Sequence, residues 1–143
     1  MARHFKLALL STFLLIVWGC GGTGANNPFA GTWTGTWSEP SNGSETGTWS
    51  VTVSSTGLLL GSATNSAADH VGLTGSITGS VDSGGNLSNT TTCTYAGFAP
   101  TTLTGQLKFT TDADTAISST LTENVPNASG GTNYSMTLNL TKQ

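Results

Sequence analysis

Glycine and large apolar residues alternate with threonine and serine along most of this chain, and that alternation constrains its fold more than any other feature. From Gly31 to Trp37, threonine occupies every second position. Successive side chains of an extended strand point to opposite sides, so glycine and tryptophan share one face and threonine the other. The segment is therefore predicted to be a β-strand with one buried and one solvated face.

The alternation recurs between short segments rich in Gly, Pro, Asn and Asp, which favour chain reversals. In one predicted strand the inward face runs from Val71 to Val81, whereas Leu58, Leu59 and Leu60 fix no parity in another. Seven such reversals predict eight strands, over residues 30–39, 45–54, 58–64, 70–81, 87–95, 101–110, 115–125 and 133–141. The predicted fold class is all-β.

An eight-stranded antiparallel up-and-down barrel is the favoured architecture, and a β-sandwich is the alternative. Exposed edge strands are usually protected by charged residues or proline, yet only 8% of the residues are charged, so closure is the simpler protection. Glycines on the inward faces permit the sharp bends that a small barrel needs. These glycines are Gly31, Gly35, Gly47, Gly75, Gly79 and Gly105.

The N-terminus has the pattern of an export signal. Arg3 and Lys6 precede a mostly apolar run over residues 7–17, which is too short to span a bilayer as a permanent helix. The run ends in Val17-Trp18-Gly19-Cys20, which resembles the lipobox of bacterial lipoproteins. The resemblance implies cleavage before Cys20, acylation of Cys20 and attachment to a membrane through its acyl chains. The alternative is an ordinary secreted protein cut near Gly24 or Ala25.

The lipobox divides the chain into a signal peptide over residues 1–19, a flexible tether over 20–28 and a β-barrel domain over 29–143. Cleavage would leave about 124 residues, enough for one domain. The implied location is the bacterial cell envelope. Gly21 and Gly22 stand where an Asp would retain some lipoproteins at the inner membrane, so the outer membrane, facing the periplasm or the cell surface, is favoured.

The charge balance limits the partners. Removing the leader leaves Lys108 and Lys142 against seven acidic residues, a net charge of −5. Two lysines cannot form the basic patch that nucleic acid requires, so nucleic acid is not an expected partner. Anionic lipid is not attracted either, so attachment depends on the acyl chains of Cys20, of which about two are needed for stable anchoring.

Gly31-Thr32-Trp33, at the start of the first predicted strand, resembles the Gly-x-Trp opening of lipocalins and of avidin-type barrels. The resemblance implies that Trp33 closes one end of a barrel. Lipocalins pack an Arg of the last strand over this Trp; the predicted domain has no Arg, and Lys142 is the nearest substitute. Avidin-type barrels stack later tryptophans around biotin, whereas every Trp here precedes residue 50, so biotin is not an expected ligand.

The interior of an eight-stranded barrel is just large enough to be filled by side chains or to hold one small ligand. Trp33 is predicted to lie in the core, and Trp37, close to the turn at Pro40, near a mouth. If the inward glycines leave space, the candidate ligand-binding residues are Trp37, Trp49, Tyr95, Phe109 and Tyr134. The competing interpretation is that the tryptophans fill what the glycines vacate.

No residue pattern indicates a catalytic centre, a metal site or a cofactor, so the protein is not expected to be an enzyme. Cys93, the only thiol after Cys20, has no cation beside it in sequence and would need His70 as its base. Asp69 and His70 lack a third metal ligand, and the acidic segments 82–86 and 112–114 are typical of hairpin turns rather than of a calcium loop.

Three functions are compatible with these features. The first is binding of a small apolar ligand inside the barrel. The second is a protein-interaction or inhibitor module that acts through loops 40–44 and 126–132 on a partner that the sequence does not identify. The third is a structural surface lipoprotein.

Overall fold

The computed structural model describes residues 26–41, 44–68, 70–110 and 115–143, and in it the chain forms a closed barrel. Each strand pairs antiparallel with the next, and the last pairs with the first, so the predicted eight-stranded up-and-down barrel is confirmed. The strands are β1 (Gly31–Glu39), β2 (Glu45–Val53), β3 (Leu58–Asn65), β4 (Thr74–Ser80), β5 (Thr92–Tyr95), β6 (Thr101–Gly105), β7 (Ala116–Val125) and β8 (Thr132–Lys142). Among these described residues, no helix is long and apolar enough to cross a bilayer. The predicted leader and Cys20 lie outside the described residues.

The alternation of residue types explains which side chains form the core. In β2 every second residue is buried, and Trp33 and Trp49 lie fully inside the barrel. The three leucines that begin β3 also have a defined parity: Leu59 is buried, whereas Leu58 and Leu60 are 48% and 47% exposed. One continuous apolar core therefore fills the middle of the barrel.

Three strands, β4, β5 and β6, are each five residues shorter than predicted. β4 begins at Thr74 rather than at residue 70, because residues 70–73 belong to a turn in which Gly72 adopts a φ of +78°. The prediction that Val71 faces inward is wrong, since its side chain is 71% exposed on this turn. The alternation alone could not reveal this, because Val71 keeps the phase of the strand that follows it. β5 begins at Thr92 and β6 ends at Gly105, whose φ is +128°, and beyond them only isolated bridges continue the pairing.

The connections divide the barrel into two ends. The described parts of three connections, residues 54–57, 81–91 and 106–110 with 115, lie at one end, together with the start of β1 and the end of β8; we call this the closed end. Those of the other four connections, residues 40–41 with 44, 66–68 with 70–73, 96–100 and 126–131, lie at the opposite end, which we call the mouth. β1 enters the barrel at the closed end, where residues 26–30 precede it.

The segment before β1 covers the closed end. Asn27 is buried; its backbone N–H donates to Ser55 O at 3.0 Å and its Nδ2 donates to Val81 O at 2.8 Å. Phe29 stacks on Phe109 with ring centroids 4.2 Å apart. Asn27 belongs to the stretch assigned to the tether, but these contacts make it part of the folded domain.

Trp33 is the central residue of the closed end. Its side chain is completely buried, and its Nε1 donates to Phe29 O at 2.8 Å. Lys142 Nζ lies 5.4 Å from the centroid of the Trp33 ring, within the range of a cation–π contact. The core position predicted for Trp33 is confirmed, and Lys142 is the basic side chain that contacts its ring.

Candidate functional site at the barrel mouth

The tryptophans fill the middle of the barrel, but an open cavity remains at the mouth. Its volume is about 230 Å³, and we call it the mouth pocket. Its lining combines aromatic, acidic and small apolar side chains from six of the eight strands and from the mouth loops. The lining residues are Trp37, Glu39, Glu45, Asn65, His70, Leu73, Tyr95, Phe98, Ala99, Thr101, Glu123, Val125 and Pro126.

Two aromatic walls of the mouth pocket are each placed by a glycine on the neighbouring strand. Trp37 pairs across the sheet with Gly47, where a Cβ atom would lie 2.5 Å from Trp37 Nε1 and would overlap Thr64 O. Tyr95 pairs with Gly75, where a Cβ would lie 2.9 Å from the tyrosine ring. Both rings therefore occupy space that a larger residue at the glycine positions would need.

Three glutamates also face the mouth pocket. Glu39 and Glu45 are direct partners in the β1–β2 register, so both carboxylates enter the barrel at the same height. Glu123 enters from β7. Their side chains are largely shielded from bulk water, with relative exposures of 1% for Glu39, 9% for Glu45 and 7% for Glu123. Glutamate is seldom so deeply buried unless it is paired, so the acidic character of this end needs a specific explanation.

Glu45 is held by neighbouring polar groups. Asn65 Nδ2 donates a short hydrogen bond to Glu45 Oε2, and His70 Nδ1 lies 2.9 Å from Glu45 Oε1. Asn65 Oδ1 in turn accepts from the backbone N–H of Ala67 at 2.8 Å, which fixes the start of the loop that carries His70. Phe98 meets the His70 ring edge-on, with centroids 6.2 Å apart. One carboxylate is thus part of a built hydrogen-bond network.

Cys93 lies beneath this rim and is buried. Burial, reinforced by the negative charge of Glu123, raises the pKa of the Cys93 thiol to about 12. Burial, followed by the charges of Cys93 and Glu123, also raises the pKa of Tyr95. Because the thiolate is the reactive form, Cys93 is not an activated nucleophile at neutral pH. His70, the base it would need, contacts Glu45 instead.

The acidic segments considered as metal loops contribute nothing to the mouth pocket. The predicted turn at residues 82–86 is confirmed: Asp82 Oδ1 accepts from the backbone N–H groups of Gly84 and Asn86, at 2.8 and 2.9 Å. Asp69 and residues 112–114 lie outside the described residues. Within the described parts of the chain, no three His, Cys, Asp or Glu side chains are grouped closely enough to hold a metal ion.

The five candidate ligand-binding residues are distributed over the whole barrel. Trp37, which was expected near a mouth, lines the mouth pocket, and so does Tyr95. Trp49 is buried in the core and does not line the pocket, and Phe109 packs at the closed end. Tyr134 is half-buried on β8 and is not among the lining residues.

The glutamates are the site residues that reasoning from the sequence missed. The signal was present, because Glu39 has the same parity as Trp37 in β1 and Glu45 the same parity as Trp49 in β2. Glu123 likewise shares the inward parity of Leu121. The alternation that assigned the tryptophans to the interior assigned these carboxylates to it as well.

A second, larger concavity of about 590 Å³ is a shallow groove on the outer side of the barrel. It is lined mainly by outward-facing hydroxyl residues of β3, β4 and β5, such as Ser62, Thr74 and Ser76. It lacks charged side chains and deep walls, so the mouth pocket is the better candidate despite its smaller volume.

Comparisons with protein-family models, with curated proteins and with solved structures found no match for this chain.

Proposed function

We propose that this protein is a lipid-anchored ligand-binding protein of the bacterial cell envelope, which holds a small molecule in the mouth pocket of its barrel. The observation that carries the proposal is the pocket itself. A packed core and a covered closed end leave one cavity of about 230 Å³ inside the rim, walled by Trp37 and Tyr95. Concave sites with aromatic walls and a few polar groups are the usual form of small-molecule sites.

The arrangement of the chain also supports this function. The chain enters the barrel at the closed end, and the mouth lies at the opposite end. A lipid anchor on Cys20 would therefore leave the mouth pocket facing away from the membrane and open to solutes. A barrel anchored in the reverse sense would have its pocket blocked by the lipid surface.

Binding is tested with a neutral fluorescent apolar probe, N-phenyl-1-naphthylamine, titrated into the purified protein. We expect a saturable rise in probe emission, and we expect Ala99→Trp, which places an indole in the pocket lining, to abolish it. Ser83→Trp adds the same indole to an exposed turn at the closed end and is the matched control. Equal probe binding by both variants would contradict a ligand site at the mouth.

The anchor is tested separately by intact-mass measurement of the protein from a bacterial membrane fraction. We expect a mature chain that begins at Cys20 and carries the added mass of acyl chains. Cys20→Ser should leave an unacylated protein that no longer sediments with membranes. An unmodified parent chain beginning near Gly24 would instead indicate ordinary secretion.

A protein-interaction module remains the second candidate, and one observation favours it. Val71 and Phe98, on two of the mouth loops, are 71% and 56% exposed. Aromatic side chains such as Phe98 are enriched at protein interfaces. The test is chemical cross-linking of the protein in an envelope extract. The double variant Val71→Ser, Phe98→Ser should lose any cross-linked partner that the parent shows, whereas Leu60→Ser, on the barrel wall, should keep it.

A further inference from the structure

The balance of charge around the mouth pocket indicates what kind of ligand it takes. Three carboxylates face the pocket, from Glu39, Glu45 and Glu123, and one basic side chain, His70, joins the lining. The two described lysines lie elsewhere: Lys142 covers Trp33 at the closed end, and Lys108 is exposed and does not line the pocket. Within the described residues, the pocket therefore holds more acidic than basic groups.

Glu123 contributes most to this excess of negative charge in the mouth pocket. Its side chain is 7% exposed and lines the pocket, and among the described residues it has no hydrogen-bond or ion-pair partner. Its charge is nevertheless felt by its neighbours, because it helps to raise the pKa of both Cys93 and Tyr95. A largely buried carboxylate without a partner is costly, and a positively charged ligand would remove that cost.

The aromatic walls supply a second, independent attraction for a cation. Trp37, Tyr95 and Phe98 line the same cavity as the carboxylates. The face of an aromatic ring attracts a cation within about 6 Å, tryptophan most strongly, and cages of this kind recognise quaternary ammonium groups. The same walls offer apolar contact to the methyl or methylene groups around the charge.

Size and geometry narrow the class further. The cavity of about 230 Å³ lies below the roughly 300–1,000 Å³ typical of drug-sized ligands, so the ligand is small. Within the described residues, no three ligating side chains converge as a metal site would require. A carboxylate rim with aromatic walls suits an organic cation, whose charge is spread over several atoms, better than a bare metal ion.

We propose that the mouth pocket binds a small organic cation, an amine or a quaternary ammonium compound, with Glu123 as the principal counter-charge and Trp37 and Tyr95 as aromatic walls. This inference rests on the proposed function and specifies its ligand. Glu45, already bonded to Asn65 and His70, shapes the rim and contributes to the negative field.

The test compares choline with 3,3-dimethylbutan-1-ol, a neutral molecule of nearly the same shape, by isothermal titration calorimetry on the purified protein. We expect choline to bind saturably and at least tenfold more tightly than the alcohol. Glu123→Gln keeps the shape of the side chain and removes its charge, so it should weaken choline binding at least tenfold and leave the alcohol unaffected.

The matched control is Asp82→Asn, which makes the same change in net charge at the closed end and should leave choline binding within twofold of the parent. If Glu123→Gln fails to fold, Phe98→Ala replaces it. Phe98 is 56% exposed, and its loss should weaken choline binding about threefold or more without affecting the fold. Circular dichroism of each variant establishes that it is folded.

Each alternative outcome overturns a different statement. If the alcohol and choline bind equally, and Glu123→Gln changes neither, the pocket takes a neutral ligand: the cation proposal fails and the proposed function survives. If calcium chloride binds and displaces choline, the acidic rim is a metal site and the organic-cation proposal fails. If choline, the alcohol and the naphthylamine probe all fail to bind, both proposals fail together.

Discussion

Replacing Trp33 with alanine tests the account of how the closed end is held together. The side chain is fully buried, so its removal exposes or vacates roughly 200 Å² of apolar surface, worth about 5 kcal/mol at about 25 cal/mol per Å² as an upper estimate. Large aromatic residues replaced by alanine in cores typically cost about 3–5 kcal/mol. The indole N–H also donates to Phe29 O, and that acceptor would lose its partner.

We therefore expect Trp33→Ala to lower the free energy of unfolding by about 4–5 kcal/mol, a large share of the roughly 5–15 kcal/mol available to a domain. For a domain of this size the melting temperature should fall by about 15–20 °C. The assay is urea denaturation followed by far-ultraviolet circular dichroism, with thermal melts as a second measurement.

Two controls separate the contributions. Trp33→Phe keeps most of the apolar surface and removes the N–H donor, so it should cost less than half as much as the alanine variant. Leu60→Ala truncates a residue that is 47% exposed on the barrel wall and should change stability by less than about 1 kcal/mol. A loss below about 1.5 kcal/mol for Trp33→Ala, or a loss no larger than that of Leu60→Ala, would refute the assignment of Trp33 to the core.

Three further predictions follow from single contacts. Lys142→Met keeps an apolar stem and removes the cation 5.4 Å from the Trp33 ring, so unfolding in urea should show a loss of about 0.5–1 kcal/mol. Gly47→Ala forces a Cβ against the Trp37 indole; we expect a loss of about 1–3 kcal/mol and a changed near-ultraviolet dichroism spectrum. Folded Cys93 should resist iodoacetamide at pH 8. The pKa of its thiol is about 9.0 in the unfolded chain and about 12 in the folded protein. Stability should therefore fall as the pH rises from 9 to 12, and Cys93→Ala should remove that part of the fall.

The barrel could be predicted from the sequence because a period of two assigns each residue to a face. That rule puts Trp33 and Trp49 on inward faces, and the scarcity of charge favours closure. The same rule gives no height along the barrel axis. Trp37 and Phe109 were therefore grouped as one candidate site, although the structure places them at the mouth and at the closed end.

The alternation could not predict the path of the chain around Val71 and Gly72 either. Gly72 takes a left-handed conformation there, and Val71 leaves the barrel although it keeps the phase of β4. The acidic rim, in contrast, could have been predicted from the sequence. Glu39, Glu45 and Glu123 all have inward parity, and the hairpin register makes the first two direct partners. When the inward-facing positions near the ends of several strands are glutamates, the sequence indicates a polar mouth in other small barrels too.

The most direct test of a cation site at the mouth is to follow the indole N–H resonances of the ¹⁵N-labelled protein while choline is added. Trp37 lines the mouth pocket, whereas Trp33 and Trp49 are buried below it, so the three indoles report on different depths of the barrel. We predict a saturable shift of the Trp37 indole with the other two unchanged, and no such shift with 3,3-dimethylbutan-1-ol. A silent Trp37 indole, or a larger response from Trp33 at the closed end, would contradict the account.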